Sequence, residues 1–102
     1  MKLFQNKFLL RRGGSFYDLE QLTIEHKINI DFNEIVKTFP KYCSKLTHSG
    51  KDIFRSFYQK RMTVTEIAFS SPHFINEEEV IEVLENTTRK YVELLKLDYG
   101  LK

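Results

Sequence analysis

Residues 22–32 alternate strictly between apolar and polar side chains, and this pattern constrains the fold more than any other feature of the chain. Every second position holds an apolar or weakly polar residue, namely Leu22, Ile24, His26, Ile28, Ile30 and Phe32. Side chains alternate between the two faces of a β-strand, so the pattern predicts a strand with one buried and one solvated face. A helix would distribute the same side chains around its axis.

A long amphipathic helix is predicted near the end of the chain. Asn76 is a favourable N-cap, and three glutamates follow it, where the positive end of the helix dipole favours acids. Gly100 supplies a stop signal. Apolar residues recur at helical spacing between them, at Val80, Ile81, Leu84, Tyr91, Leu94 and Leu95. We expect this stripe to pack on the apolar face of strand 22–32.

Three further segments favour strands. Segments 52–59 and 62–70 are rich in aromatic and β-branched residues. Over segment 2–11, strand spacing places Phe4, Phe8 and Leu10 on one face and Leu3 and Leu9 on the other. The apolar spacing over 51–61 also matches a helix, so the sequence leaves this segment open between the two structures.

A second helix is predicted after the N-cap Asn33, with an apolar stripe that extends to Leu46. Proline lacks a backbone N–H, so we expect a break or kink near Phe39 and Pro40. The elements then occur in the order ββαββα. The sequence therefore predicts a single small α+β domain over residues 1–102, a four-stranded antiparallel sheet with both helices packed on one face.

Composition is that of a globular protein. Hydrophobic residues make up 41% of the chain and charged residues 29%, which excludes a disordered segment. No stretch approaches the roughly 20 apolar residues that span a bilayer. The single cysteine, Cys43, cannot form an internal disulfide, and the N-terminus lacks a signal-peptide pattern. We expect a cytoplasmic protein that does not associate with membranes.

Motifs for catalysis, metal binding and cofactor binding are absent from the sequence. The histidines lack metal-ligand spacing, and Cys43 and His48 do not match a known nucleophile–base arrangement. We therefore expect no catalytic residue, no metal ligand and no cofactor, and favour a binding protein over an enzyme. One enzymatic alternative stays open, a small nuclease in which His26 or His48 is the acid–base group. Arg55 or Arg61 would then hold phosphate.

The charges form alternating blocks, although the net charge is only +2. Residues 35–61 carry seven bases and one acid, whereas residues 62–86 carry six acids and no base. Complementary patches speed association with a matched partner, so the basic block is the candidate surface. Its candidate partner-binding residues are Lys51, Arg55, Tyr58, Lys60 and Arg61.

Two hypotheses of function follow. The first is a small accessory, inhibitor or immunity-type factor that occupies the surface of a protein partner. The second is a nucleic-acid-binding module, since bases of a single strand stack on aromatic rings while its phosphates contact Lys and Arg. The competing interpretation of the aromatics in 35–61 is that they form core while the charged residues face solvent. The charge blocks also allow two copies to pair as a homodimer.

Overall fold

The structure, a computed structural model, describes residues 13–70 and 76–102. Helices account for 74% of these residues, and no sheet forms among them. In chain order the helices are α1 (Phe16–Glu25), α2 (Phe32–Cys43), α3 (His48–Tyr58), α4 (Val64–Ser70) and α5 (Glu77–Tyr99). The predicted α+β fold, with its four-stranded antiparallel sheet in ββαββα order, is therefore wrong. The predicted strand 2–11 lies outside the described residues.

The predicted strand 22–32 is interrupted by the end of α1. Lys27 has a positive φ of 57°, and its N–H donates to the carbonyl of Ile24. The N–H of Ile28 donates to the carbonyl of Thr23 at 2.8 Å. These two bonds form a Schellman motif, which ends a helix by satisfying its last carbonyls. The alternating pattern thus spans a helix end, a turn and a short extended segment.

The apolar side chains of this segment consequently do not share one buried face. Ile28 and Ile30 are buried, whereas Leu22 and Phe32 are half-buried. Ile24 is 58% exposed. The backbone of Ile28 pairs with that of Leu101 in an isolated antiparallel bridge, which is not part of a sheet.

Segments 52–59 and 62–70, predicted as strands, lie in α3 and α4. The structure adopts the helical alternative that the sequence left open for 51–61. Helical spacing brings the large apolar residues of α3 onto one buried face, which outweighs the strand preference of aromatic side chains. These buried residues are Ile53, Phe54, Phe57 and Tyr58.

Helix α2 continues through Pro40, so the predicted break is absent. The helix is capped by Asp31 rather than Asn33, because the Asp31 carboxylate accepts the N–H of Glu34 at 2.8 Å. Proline leaves the carbonyl four residues earlier, that of Val36, without its helical donor. Both residues are exposed, so water can satisfy that carbonyl, and the helix accommodates the proline near its last turn.

The predicted C-terminal helix is confirmed. The Asn76 side chain accepts the N–H of Glu79 at 2.9 Å, and Gly100 ends the helix with a positive φ of 73°. Helix α5 packs against α3 and α4. Its buried residues are Val80, Leu84, Thr87, Thr88, Tyr91, Val92 and Leu95.

Aromatic rings fill the centre of the core where α2, α3 and α5 meet. The Phe54 ring lies 5.4 Å from that of Phe39 and 5.1 Å from that of Tyr91, measured between centroids. Tyr42 packs edge-on against Tyr91. Among the described residues, no helix has both the length and the apolar character needed to cross a membrane.

Candidate functional site

The candidate site is an open cavity of about 280 Å³ between α2 and α3, which we call the α2–α3 groove. Helix α3 contributes a row of polar side chains spaced four residues apart, so they follow one another along the same face. Helix α2 and the residue after it contribute the opposite wall. The lining residues are Phe39, Pro40, Cys43, Ser44, Lys51, Arg55 and Gln59.

The groove is basic on its α3 side. Arg55 is exposed and Lys51 is half-buried, and neither forms an ion pair within residues 13–70 and 76–102. The acid next to Lys51 in sequence, Asp52, is one residue further along the helix and therefore points about 100° away around the axis. The two cations are thus available to an external anion.

Cys43 is the buried titratable group of the groove. Burial raises the pKa of its thiol from 9.0 to about 11, while the positive charges of Arg55 and Lys51 oppose that shift. The thiol therefore stays protonated at neutral pH, and thiolate rather than thiol is the reactive nucleophile. Its position on the apolar stripe of α2 agrees with a small buried hydrophobic residue.

The predicted partner-binding cations lie along α3 and just beyond its end. Lys51 and Arg55 line the groove, one helical turn apart. Lys60 and Arg61 are exposed in the segment that follows α3. Arg61 has a positive φ of 59°, so the chain turns sharply there before α4 begins.

Tyr58, predicted on the same surface, is in the core instead. Its side chain is 2% exposed, and its hydroxyl shares a hydrogen bond of 3.2 Å with the hydroxyl of Thr88. The other aromatics of the basic block are buried as well, at Phe39, Tyr42, Phe54 and Phe57. No Phe or Tyr ring of residues 35–61 is therefore exposed for stacking on a nucleotide base.

Sequence reasoning missed the walls of the groove. Pro40 and Ser44 belong to α2 and its end, and Gln59 extends the basic row of α3. The available signal was the four-residue spacing of Lys51, Arg55 and Gln59 beside a run of large apolar residues, which is helical amphipathicity. Reading 52–59 as a strand hid that spacing.

The residues of the nuclease alternative lie at the end of α1, on α3 and just beyond α3. His48 is the first residue of α3, and Arg55 follows two turns later, about 10 Å away along the helix axis. His26 is half-buried at the C-cap of α1. In the described part of the chain, no cluster of three or more His, Cys, Asp or Glu side chains could hold a metal ion.

Comparisons with protein-family models, with curated proteins and with solved structures gave no significant match. The role of the chain must therefore be inferred from its own residues and their placement.

Proposed function

We propose that this chain is a non-catalytic binding protein, a small accessory, inhibitor or immunity-type factor that occupies the surface of a protein partner. One observation carries the proposal. Segment 51–61 directs its aromatic side chains into the core and leaves its cations, Lys51, Arg55, Lys60 and Arg61, without ion-pair partners in the described residues. A surface of this kind favours a partner with an acidic patch. The proposed setting is cytoplasmic, and the single cysteine supports it.

A protein partner is favoured over single-stranded nucleic acid by the burial of the aromatics. Stacking on aromatic rings contributes about 1–3 kcal/mol per base in proteins that bind single strands. The Phe and Tyr rings of residues 35–61 are at most 2% exposed, so their contribution to stacking is missing.

Charge reversal on the basic surface tests the proposal. We expect the combined substitution of Arg55, Lys60 and Arg61 by Glu to reduce capture of the partner at least tenfold, since close charge pairs at interfaces contribute about 1.5 kcal/mol or more each. All three side chains are exposed, so the melting temperature should change little. The measurement is affinity capture from the native host, quantified by mass spectrometry for wild type and variant.

A matched control reverses three exposed cations elsewhere, Arg89, Lys90 and Lys102, with the same change in net charge. It should leave capture unchanged. Equal capture by wild type and by the Arg55, Lys60 and Arg61 variant contradicts the proposal.

Titration of a labelled single strand at low and moderate salt examines the nucleic-acid alternative. Phosphate contacts release counterions, so such binding weakens steeply with salt. If the single strand binds tightly and the charge reversal abolishes that binding, the partner is nucleic acid rather than protein.

A further inference from the structure

We propose that the α2–α3 groove binds an acidic peptide segment of the partner, with one apolar side chain in the cavity and carboxylates paired to Lys51 and Arg55. This inference rests on the proposed function and specifies the chemistry that the surface recognises. It concerns the groove alone, whereas the proposed function also involves Lys60 and Arg61.

The size and lining of the cavity fit a side chain better than a whole small molecule. Its volume of about 280 Å³ is at the lower limit of the roughly 300–1,000 Å³ of small-molecule pockets, and the cavity is open to solvent. Two lining residues, Phe39 and Cys43, are buried and apolar, and Pro40 adds an apolar edge. A single Leu- or Phe-sized side chain would be desolvated on such a surface, which is how anchor residues contribute at interfaces.

The spacing of the two cations selects the anionic partner groups. Lys51 and Arg55 are four residues apart, or about 6 Å along the axis of α3. Two carboxylates one turn apart on a peptide helix have the same spacing. The guanidinium of Arg55 can hold a carboxylate through two parallel hydrogen bonds, whereas the Lys51 ammonium acts as a point charge.

The remaining polar groups lie beside this charged pair. Gln59 continues the row of α3 by another turn, and Ser44 lies on the opposite wall. Their side chains can donate and accept hydrogen bonds, which suits the backbone or a polar residue of a peptide. From Lys51 to Gln59 the row extends about 12 Å, or the length of about eight helical residues.

Selection from a phage-displayed library of random peptides tests the inference with the intact chain as bait. We expect the enriched peptides to share an apolar residue flanked by acids at helical spacing. Amide shifts in the nuclear magnetic resonance spectrum should then locate a selected peptide at Ser44, Lys51 and Gln59.

Neutral substitutions in the groove provide the discriminating variants. Arg55→Gln should weaken the selected peptide about tenfold or more, as loss of a charge pair does. Arg89→Gln removes the same unit of charge from an exposed position of α5 outside the groove lining and should leave the affinity unchanged. Peptides without acids, peptides that shift amides away from the groove, or equal effects of both substitutions would overturn the inference.

A competition experiment distinguishes other occupants of the groove, and a comparison of outcomes distinguishes this inference from the proposed function on which it rests. Inorganic phosphate should displace the peptide no better than chloride at equal ionic strength, and stronger displacement would assign the groove to phosphate instead. If peptide selection fails while charge reversal still abolishes partner capture, the groove inference is wrong and the proposed function stands. If capture is insensitive to charge reversal, the proposed function itself is wrong.

Discussion

The backbone of Lys27 has an unfavourable left-handed conformation. It occupies the left-handed position after α1 with a φ of 57°, where glycine is favoured because it lacks a Cβ. Its side chain is exposed. We predict that Lys27→Gly raises the free energy of unfolding by about 1 kcal/mol, because the left-handed conformation costs an ordinary residue about 1–2 kcal/mol. The measurement is urea unfolding followed by circular dichroism.

The same replacement in a helix interior provides the control. Lys37 is also exposed but lies inside α2, so Lys37→Gly should lower the free energy of unfolding by about 1 kcal/mol. Opposite signs at the two positions would identify backbone conformation as the cause. Destabilisation by both substitutions would show that Lys27 is not strained.

At the scale of helices and turns, capping signals predicted both ends of α5, whereas the cap of α2 is Asp31 rather than the predicted Asn33. Asn76 and Gly100 bound α5 as expected, because a cap depends on the hydrogen bonds of a few neighbouring residues. The end of α1 was not foreseen, since Lys27 stands where a glycine would have signalled it. Without that signal, the period-two pattern of 22–32 was indistinguishable from a half-buried strand.

The candidate site was likewise predictable only in part. The charges at Lys51 and Arg55 follow from residue type alone. The groove requires α2 and α3 to lie side by side, which brings Pro40 and Ser44 opposite those cations. The apolar spacing of segment 51–61 fits the periodicity of a strand as well as that of a helix. Only the burial of its aromatic side chains in the tertiary structure decides between the two.

The crossing of α3 and α5 depends on a glycine. A Cβ at Gly50 would clash with the hydroxyl of Thr87 and would lie 2.6 Å from that of Thr47. We predict that Gly50→Ala destabilises the protein by about 1–3 kcal/mol, since overpacking outweighs the helix preference of alanine. Thr87→Ala should relieve part of this loss, because it removes the nearer obstruction.

A double-mutant cycle on the free energy of unfolding measures this effect. The coupling between Gly50→Ala and Thr87→Ala should be favourable and at least about 0.5 kcal/mol, as for residues in contact. Strict additivity would mean that the two helices do not meet at these residues.

At the scale of the whole molecule, one hairpin provides both core and surface. The buried faces of α2 and α3 meet α5 through Phe39, Phe54 and Tyr91, while their outer sides form the α2–α3 groove. A site built on packed helices is held more rigidly than one built on loops. Binding at the groove should therefore require little rearrangement of the helices.

The buried titratable groups make the whole fold sensitive to alkali. Burial raises the pKa of Cys43 from 9.0 to about 11, and burial also raises the pKa values of Tyr58 and Tyr91 above their usual 10.0. Above pH 9.0 the folded chain therefore binds more protons than the unfolded chain, so stability falls as pH rises. We predict that the urea midpoint of unfolding declines from pH 9.0, the ordinary pKa of the thiol, through pH 11. Cys43→Ala should delay the onset by about one pH unit, to where tyrosines begin to ionise. A midpoint that stays constant through pH 11, or an unchanged onset in Cys43→Ala, would contradict this account.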